Sequence, residues 1–422
     1  MTVCDSAQEV LARAAPSAGL RVALISLHTS PLARAGVGDA GGMNVYLRAV
    51  AAAMVRAGHQ VDIYTRATSA LELAYASQVA DGVSVHFLKA GPAGPASKAS
   101  LPALAPEFAA ALARRPRPDV VHSHYWLSGL AGREAAAVWA VPHVQSLHTV
   151  ATMKNRTLAA GDVPESAERI NGEYDLVREA DRVVAVSAAE RDAIVRDYDA
   201  AVERVEIVNP GVDIRVFRPG PGPAPESLPP ALHRPAGYLM MAGRVQPIKG
   251  QDLAIRALAA LPAAIRPGLV VTGAPGSGHL EYAAHLKTMA AALGVAGDVV
   301  FLGTQSAARL AELIQGARAT LMPSRSETFG LVAIESAACG TPVIGTDTTG
   351  LRSSVVESVT GLLVRSRREQ DWAAAIRRLL EEPGLAGRLS AGGIKLGRER
   401  TWDHAAAALA DVYTAVVAGR AR

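Results

Sequence analysis

Short apolar runs alternate with longer Ala-, Leu- and Arg-rich stretches from one end of the chain to the other. In the first half, seven runs predict strands: 21–28 (RVALISLH), 60–66 (QVDIYTR), 83–90 (VSVHFLKA), 119–124 (DVVHSH), 142–149 (PHVQSLHT), 182–187 (RVVAVS) and 205–211 (VEIVNPG). Runs such as VALISL are apolar at consecutive positions, the pattern of a parallel strand covered by helices on both faces. The stretch SAAE at 187–190 predicts a helix start, with Ser187 as cap and Glu190 reaching back to it. Residues 218–237 (RPGPGPAPESLPPALHRPAG) hold too much Pro and Gly for regular structure and predict a linker. The alternation then restarts with runs at 238–243, 268–273, 298–303, 319–324, 341–346 and 361–364. The whole pattern predicts an α/β chain of two Rossmann-like, doubly wound domains, 21–217 and 238–400, after an extension of residues 1–20. Ligands of such sheets sit beyond the carboxyl ends of the strands, so the cleft between the domains is the expected site.

Composition narrows the class. A length of 422 residues exceeds what one hydrophobic core usually serves. Half the residues are apolar and 19% are charged, as in ordinary soluble proteins. The net charge of +4 is small, and the basic clusters at 114–118 and 365–369 are short and lack interleaved aromatics, which argues against a nucleic-acid partner. Cys4 and Cys339 can form neither a disulfide framework nor a metal-ligand pair at known spacing. Asp5 and Glu9 interrupt the first twenty residues, and no run approaches the roughly 18 apolar residues of a membrane span. A cytoplasmic setting without an integral membrane segment is expected.

Candidate chemistry begins at 36–50, GVGDAGGMNVYLRAV, where glycines run straight into a helix pattern. Residues 36–41 match G-x-G-x-x-G, and Asp62 follows about twenty residues later, as in dinucleotide-binding folds. In that motif the first glycine follows the strand directly, whereas here 29–35 intervene, so a nicotinamide-dependent dehydrogenase is disfavoured. What survives is simpler physics. Bare backbone and free N–H groups at a helix start, near Gly41 to Asn44, favour an approaching phosphate.

The second domain adds two stretches. In GRVQPIKG (243–250), Arg244 and Lys249 lie on a loop at a strand's carboxyl end and can converge on a diphosphate. In PSRSETFGLVAIESAACGTPVIG (323–345), Glu327 precedes a helix start at Phe329, Gly330 and Leu331, and Glu335 falls in its second turn. Carboxylates at these places can accept hydrogen bonds from vicinal hydroxyls, while the helix start suits another anion. His122 and His124 share one face of a strand; with no third ligand in view they read as core or cleft-wall histidines rather than a metal site.

The E-x-F-G-L-x-x-x-E stretch at 327–335, with Arg244 and Lys249 upstream and the glycine loop before them, resembles the retaining glycosyltransferases of family GT4, which have the GT-B architecture. The likeness covers Arg21 to about Tyr413. Within the family, HTSPLARAGVGDAGGMNVY, HSHYWLSG and HTVATMKN are similar to the enzymes that move N-acetylglucosamine from UDP-GlcNAc to 1D-myo-inositol 3-phosphate in mycothiol biosynthesis. The resemblance implies that the main chain of Gly42 meets the donor's β-phosphate, and that Arg244 and Lys249 neutralise the departing UDP. It implies that Glu335 holds the ribose and Glu327 the transferred sugar, that main chain near Gln305 reads the uracil, and that His28, Arg34 and Ala35 border the donor. His148 is implied as a group that contacts and orients the donor sugar.

On the acceptor side the matching positions are His28, Asp39, Ala40, Gly41, Gly42, Met43, Asn44, Lys98, Tyr125, Thr149 and Arg169. Lys98 and Arg169 are thereby expected to balance an acceptor phosphate, although on a helix Arg169 is equally suited to pair with Glu165 or Glu173. The family also implies a C-terminal helix, about 401–422, packing back on the first domain, and a homodimer. No cofactor is required for the chemistry; a peripheral magnesium near Ile314, Gln315, Ala317 and Thr341 is a family feature. The chain departs from these enzymes at TTGLRSS (348–354), at INGEYD (170–175) and in its N-terminal extension. The alternative is therefore a GT4 enzyme of antibiotic biosynthesis, aminoglycoside or lincosamide, with another nucleotide sugar or an unphosphorylated acceptor.

Overall fold

The computed structural model describes residues 19–33, 41–74, 76–80, 82–92, 94–158, 163–276, 278–348 and 350–420. Its strands fall into two sheets. The first contains β1 (Arg21–Ser26), β2 (Gln60–Arg66), β3 (Ala76–Ala80), β4 (Val83–Leu88), β5 (Val120–His124), β6 (His143–Ser146), β7 (Arg182–Ala185) and β8 (Val205–Ile207), in the order β3-β4-β2-β1-β5-β6-β7-β8. The second contains β9 (Tyr238–Ala242), β10 (Gly268–Thr272), β11 (Val299–Gly303), β12 (Ala319–Met322), β13 (Val343–Thr346) and β14 (Gly361–Val364), in the order β11-β10-β9-β12-β13-β14. Every pairing is parallel except β3 with β4. Each predicted run carries a strand, usually shorter at its carboxyl end because the last residues leave the ladder to form site loops. β3 is the addition: ASQVA carries one β-branched residue and gives no strand signal.

Five of the six residues of β1 are buried, which is what helices on both faces demand. Both sheets therefore have α/β layers, the doubly wound class. Residues 218–237 contain only two short 3₁₀ turns, Pro225–Ser227 and Pro230–Leu232. They do not hang free: Leu232 is buried, Gln315 Nε2 donates to the Arg218 carbonyl at 2.7 Å, and Arg309 reaches the Ser227 carbonyl at 2.8 Å.

The C-terminal helix Trp402–Arg420 crosses to the first sheet. Trp402 packs edge-on against Tyr46, with ring centroids 5.6 Å apart, and Arg56 pairs with Asp403 at 2.5 Å. The Tyr413 hydroxyl lies 2.6 Å from His122 Nδ1 inside the molecule. Ser146 Oγ donates to the Val184 carbonyl at 3.0 Å, so it must accept from His122 Nε2, 2.9 Å away. His122 is then the Nε2–H tautomer, and its Nδ1 accepts from Tyr413. One buried cluster runs from Val22 and Leu24 through Tyr46, Trp402 and Tyr413 to Val212, Phe217 and Met240, joining both sheets. No helix among the described residues is long and apolar enough to cross a membrane.

Candidate active site

The first half of the site is built at the end of β1. The helix Gly42–Arg56 starts at Gly41, whose N–H donates to Asn44 Oδ1 at 3.0 Å. Asn44 Nδ2 donates to Thr29 Oγ1 at 3.1 Å and to the Ser30 carbonyl at 2.7 Å. Asn44 is fully buried, so its amide ties the loop after β1 to the helix start rather than presenting itself to a ligand. Gly42 is exposed, and a Cβ there would lie 3.3 Å from Leu331 Cδ1 of the second domain. Met43 packs beside the core. Arg34, Ala35, Asp39 and Ala40 lie outside the described residues.

The second half faces it. Leu331 opens the helix Leu331–Cys339, capped by Gly330 at φ +86°. Two helix N-termini thus meet across the cleft, and their unpaired N–H groups and dipoles make the gap favourable to an anion. Lys249 donates to Glu327 Oε1, and Ser324 Oγ donates to the same oxygen at 3.2 Å. The two loops are fastened main chain to main chain, Arg325 N–H to the Ile248 carbonyl at 2.8 Å. Gly250 makes their approach feasible: its φ is +74°, and a Cβ would sit 2.2 Å from the Pro323 carbonyl oxygen. Arg244 holds its loop partly through its carbonyl, which accepts from Gln251 Nε2 at 3.0 Å. Gln305 Nε2 turns back to the Leu302 carbonyl at 2.6 Å. Burial pushes the Glu335 carboxyl up to about 7. Within the departing stretch, Ser354 lies behind the Glu327 loop, its Oγ donating to the Phe329 carbonyl at 2.6 Å.

Ser187 joins the halves: it accepts the Glu190 N–H at 3.2 Å and donates to the Thr328 carbonyl at 2.9 Å. The helix start at 187–190 differs in one detail from its sequence reading. Glu190 Oε2 accepts from Val186 N–H at 2.7 Å rather than from Ser187.

Around the acceptor positions, Tyr125 stands at the start of the helix Trp126–Trp139 with φ +74°. Its ring lies 4.5 Å from that of His28, and the Arg169 guanidinium sits 4.8 Å from its centroid. Arg169 Nη2 donates to the carbonyl and hydroxyl oxygens of Thr149 at 2.7 and 2.9 Å. Its other side is paired with Glu173 at 2.6 Å and Glu165 at 2.9 Å, and Lys154 also contacts Glu165. Arg169 is therefore balanced by the i±4 carboxylates without any acceptor phosphate. Burial lowers the guanidinium pKa, but Glu173, Tyr125 and Glu165 outweigh it and raise it. The i±4 carboxylates were visible in sequence; the burial of Glu173 with Arg169 was not.

His148 has φ +60° and hydrogen-bonds through Nε2 to His124 Nδ1 at 2.8 Å. Burial brings its pKa down to about 4, so it is neutral near pH 7. His122 and His124 pack ring to ring at 4.1 Å, and burial holds both well below the usual histidine range. Among the described residues no three His, Cys, Asp or Glu side chains converge as a metal site. At the magnesium positions, the Ile314 carbonyl already accepts from Ala317 N–H at 3.0 Å and Thr341 Oγ1 at 2.7 Å, while the Gln315 amide holds the Arg218 carbonyl. The Ile314 carbonyl therefore already carries two donors in this conformation.

A family model described as "Family 4 Glycosyltransferase in conflict systems" matches residues 32–409. The chain is a family 4 glycosyltransferase. A Rhodococcus opacus protein named D-inositol 3-phosphate glycosyltransferase is 43% identical over 403 residues, 93% of this chain and 90% of that protein. A Streptosporangium roseum protein of the same name is 41% identical over 410 residues, 94% of each. Among solved structures, sucrose-phosphate synthase from Thermosynechococcus elongatus superposes with TM-score 0.84 and 27% identity, over 94% of this chain and 99% of that one. Anabaena HepE in complex with UDP and glucose superposes with TM-score 0.72 at 18% identity, over 94% and 99%, a likeness of fold. The glycosyltransferase thus has the GT-B architecture of two facing parallel-sheet domains.

Proposed function

We propose that this glycosyltransferase moves N-acetylglucosamine from UDP-GlcNAc to 1D-myo-inositol 3-phosphate with retention, the first step of mycothiol biosynthesis. One observation carries the reading: Tyr125, Thr149 and Arg169, distant in sequence, meet beside His28 in a chain about 43% identical to proteins named for that acceptor. The diphosphate lies between the two facing helix starts, against Arg244 and Lys249. Lys249 exchanges Glu327 for phosphate, and Glu327 turns to the sugar hydroxyls. Glu335 takes the ribose, and main chain near Gln305 takes the uracil. The acceptor oxygen bonds to the anomeric carbon on the face UDP leaves. The carbon–oxygen bond to UDP breaks, its electron pair passing to the β-phosphate oxygen, which takes the acceptor's proton. Arg244 and Lys249 stabilise the charge that grows there. His148, being neutral, orients the donor sugar.

The test is UDP release by purified protein with UDP-GlcNAc and an acceptor panel. Lys98→Ala should raise KM for inositol 3-phosphate about tenfold, the worth of one charged hydrogen bond, and leave UDP binding unchanged. Equal use of free inositol would overturn the phosphate reading. Arg169→Ala is a poor probe, because stripping a buried pair of one partner costs about 3–5 kcal/mol on its own. The same carboxylates favour a second reading. Glu165 and Glu173 already balance Arg169, so an unphosphorylated cyclitol acceptor of an antibiotic pathway meets no stranded guanidinium there.

A further inference from the structure

Arg66 ends β2 and is 4% exposed, yet no step above uses it. Its guanidinium donates to three carbonyls of one loop: Nε to Ala90 at 2.7 Å, Nη2 to Pro92 at 2.6 Å and Nη1 to Gly94 at 2.9 Å. The loop bends to offer them through two glycines at positive φ, Gly91 at +69° and Gly94 at +129°. From its outer side Glu107 accepts the Gly91 N–H at 2.6 Å. Beyond the clamp, Ser97 to Ser100 form a turn, with Ser100 N–H donating to the Ser97 carbonyl at 3.0 Å. Leu101 then drops into the core. Lys98 is the second residue of that turn, so its main chain is fixed upstream by Arg66 and downstream by Leu101. The same loop walls a cavity of about 250 Å³ bounded by His28, Thr29, Arg66, Ala96 and Leu101, which opens beside the acceptor positions.

We propose that Arg66 is a positioning residue for acceptor recognition, holding the 90–98 loop so that Lys98 and the cavity wall stand at a fixed place against the acceptor. This rests on the acceptor reading above. A guanidinium suits the task because its donors fan out in one plane, so three carbonyls can share one cation; an ammonium cannot reproduce the fork.

The test is a double-mutant cycle with Arg66→Lys and Lys98→Ala in the UDP-release assay. Arg66→Lys should raise acceptor KM about tenfold while kcat and UDP binding stay within about twofold of wild type. In the Lys98→Ala background the same change should add little. Multiplicative effects, or an unchanged acceptor KM, would overturn the assignment. Glu107→Gln, on the exposed side of the loop, should move acceptor KM the same way by less, and keeps the test decisive if Arg66→Lys folds poorly. If wild type released no UDP with inositol 3-phosphate, the functional reading would fall by itself. Amide exchange at 91–98 would then decide the loop assignment, since it must quicken in Arg66→Lys and unchanged exchange would refute it.

Discussion

At the scale of single residues, the site is governed by how charges are partnered. Lys249 is held by Glu327, so its cation is oriented before phosphate charge develops. Arg244→Ala and Lys249→Ala should each lower kcat about a hundredfold, as loss of a group acting on transition-state charge does. Steady-state kinetics check this, and a change confined to KM would mean they bind only the ground state. Glu190 behaves differently. It is fully buried, and burial raises its carboxyl from 4.5 to about 7 against the pull of Val186 N–H. The folded chain then keeps a proton that the unfolded chain releases near 4.5, so this group's contribution to stability declines as pH rises from about 4.5 to about 7. Glu190→Gln should therefore gain Tm relative to wild type as pH is raised across that window. A constant Tm difference between pH 5 and 8 would show that Glu190 is ionised throughout.

At the scale of elements, strands announced themselves because burial on both faces leaves consecutive apolar residues, and no polar alternation competes with that signal. β3 hid because an edge strand paired with one neighbour can be built from Ala, Ser and Gln. The glycines of the site loops were legible as backbone that something approaches; that a side chain at Gly42 would press on Leu331 of the other domain was not. Partners of Arg169 could be read from i±4 spacing, whereas the Arg66 clamp could not, because carbonyl acceptors leave no trace in residue type. Nor does any local pattern join His122 to Tyr413, 291 residues away. That bond yields an element-scale prediction. Tyr413→Phe leaves His122 Nδ1 buried without a donor and should cost about 1–3 kcal/mol, seen as a lower Tm with unchanged KM values. An unaltered melting curve would mean that packing alone holds the C-terminal helix.

At the scale of the whole molecule, the chain passes between the domains twice, after β8 and again near Thr401, where Val212 and Thr401 pair as a parallel bridge. Two adjacent crossings act as one axis, and the Ser187 to Thr328 bond sits at the cleft they close, as does Gly42, where an added Cβ would meet Leu331. Small-angle scattering should show a smaller radius of gyration with saturating UDP-sugar; identical curves would remove closure from the mechanism. The returning helix has a consequence for how the protein is made. The last strand of the first sheet ends at Ile207 and the helix that covers Tyr46 and His122 begins at Trp402. At about 5–20 residues per second, a ribosome needs roughly 10–40 s to deliver the missing piece. Throughout that interval the nascent first domain has its sheet but lacks one wall of its core, and Tyr46 stands open to whatever chaperone or neighbouring chain meets it first.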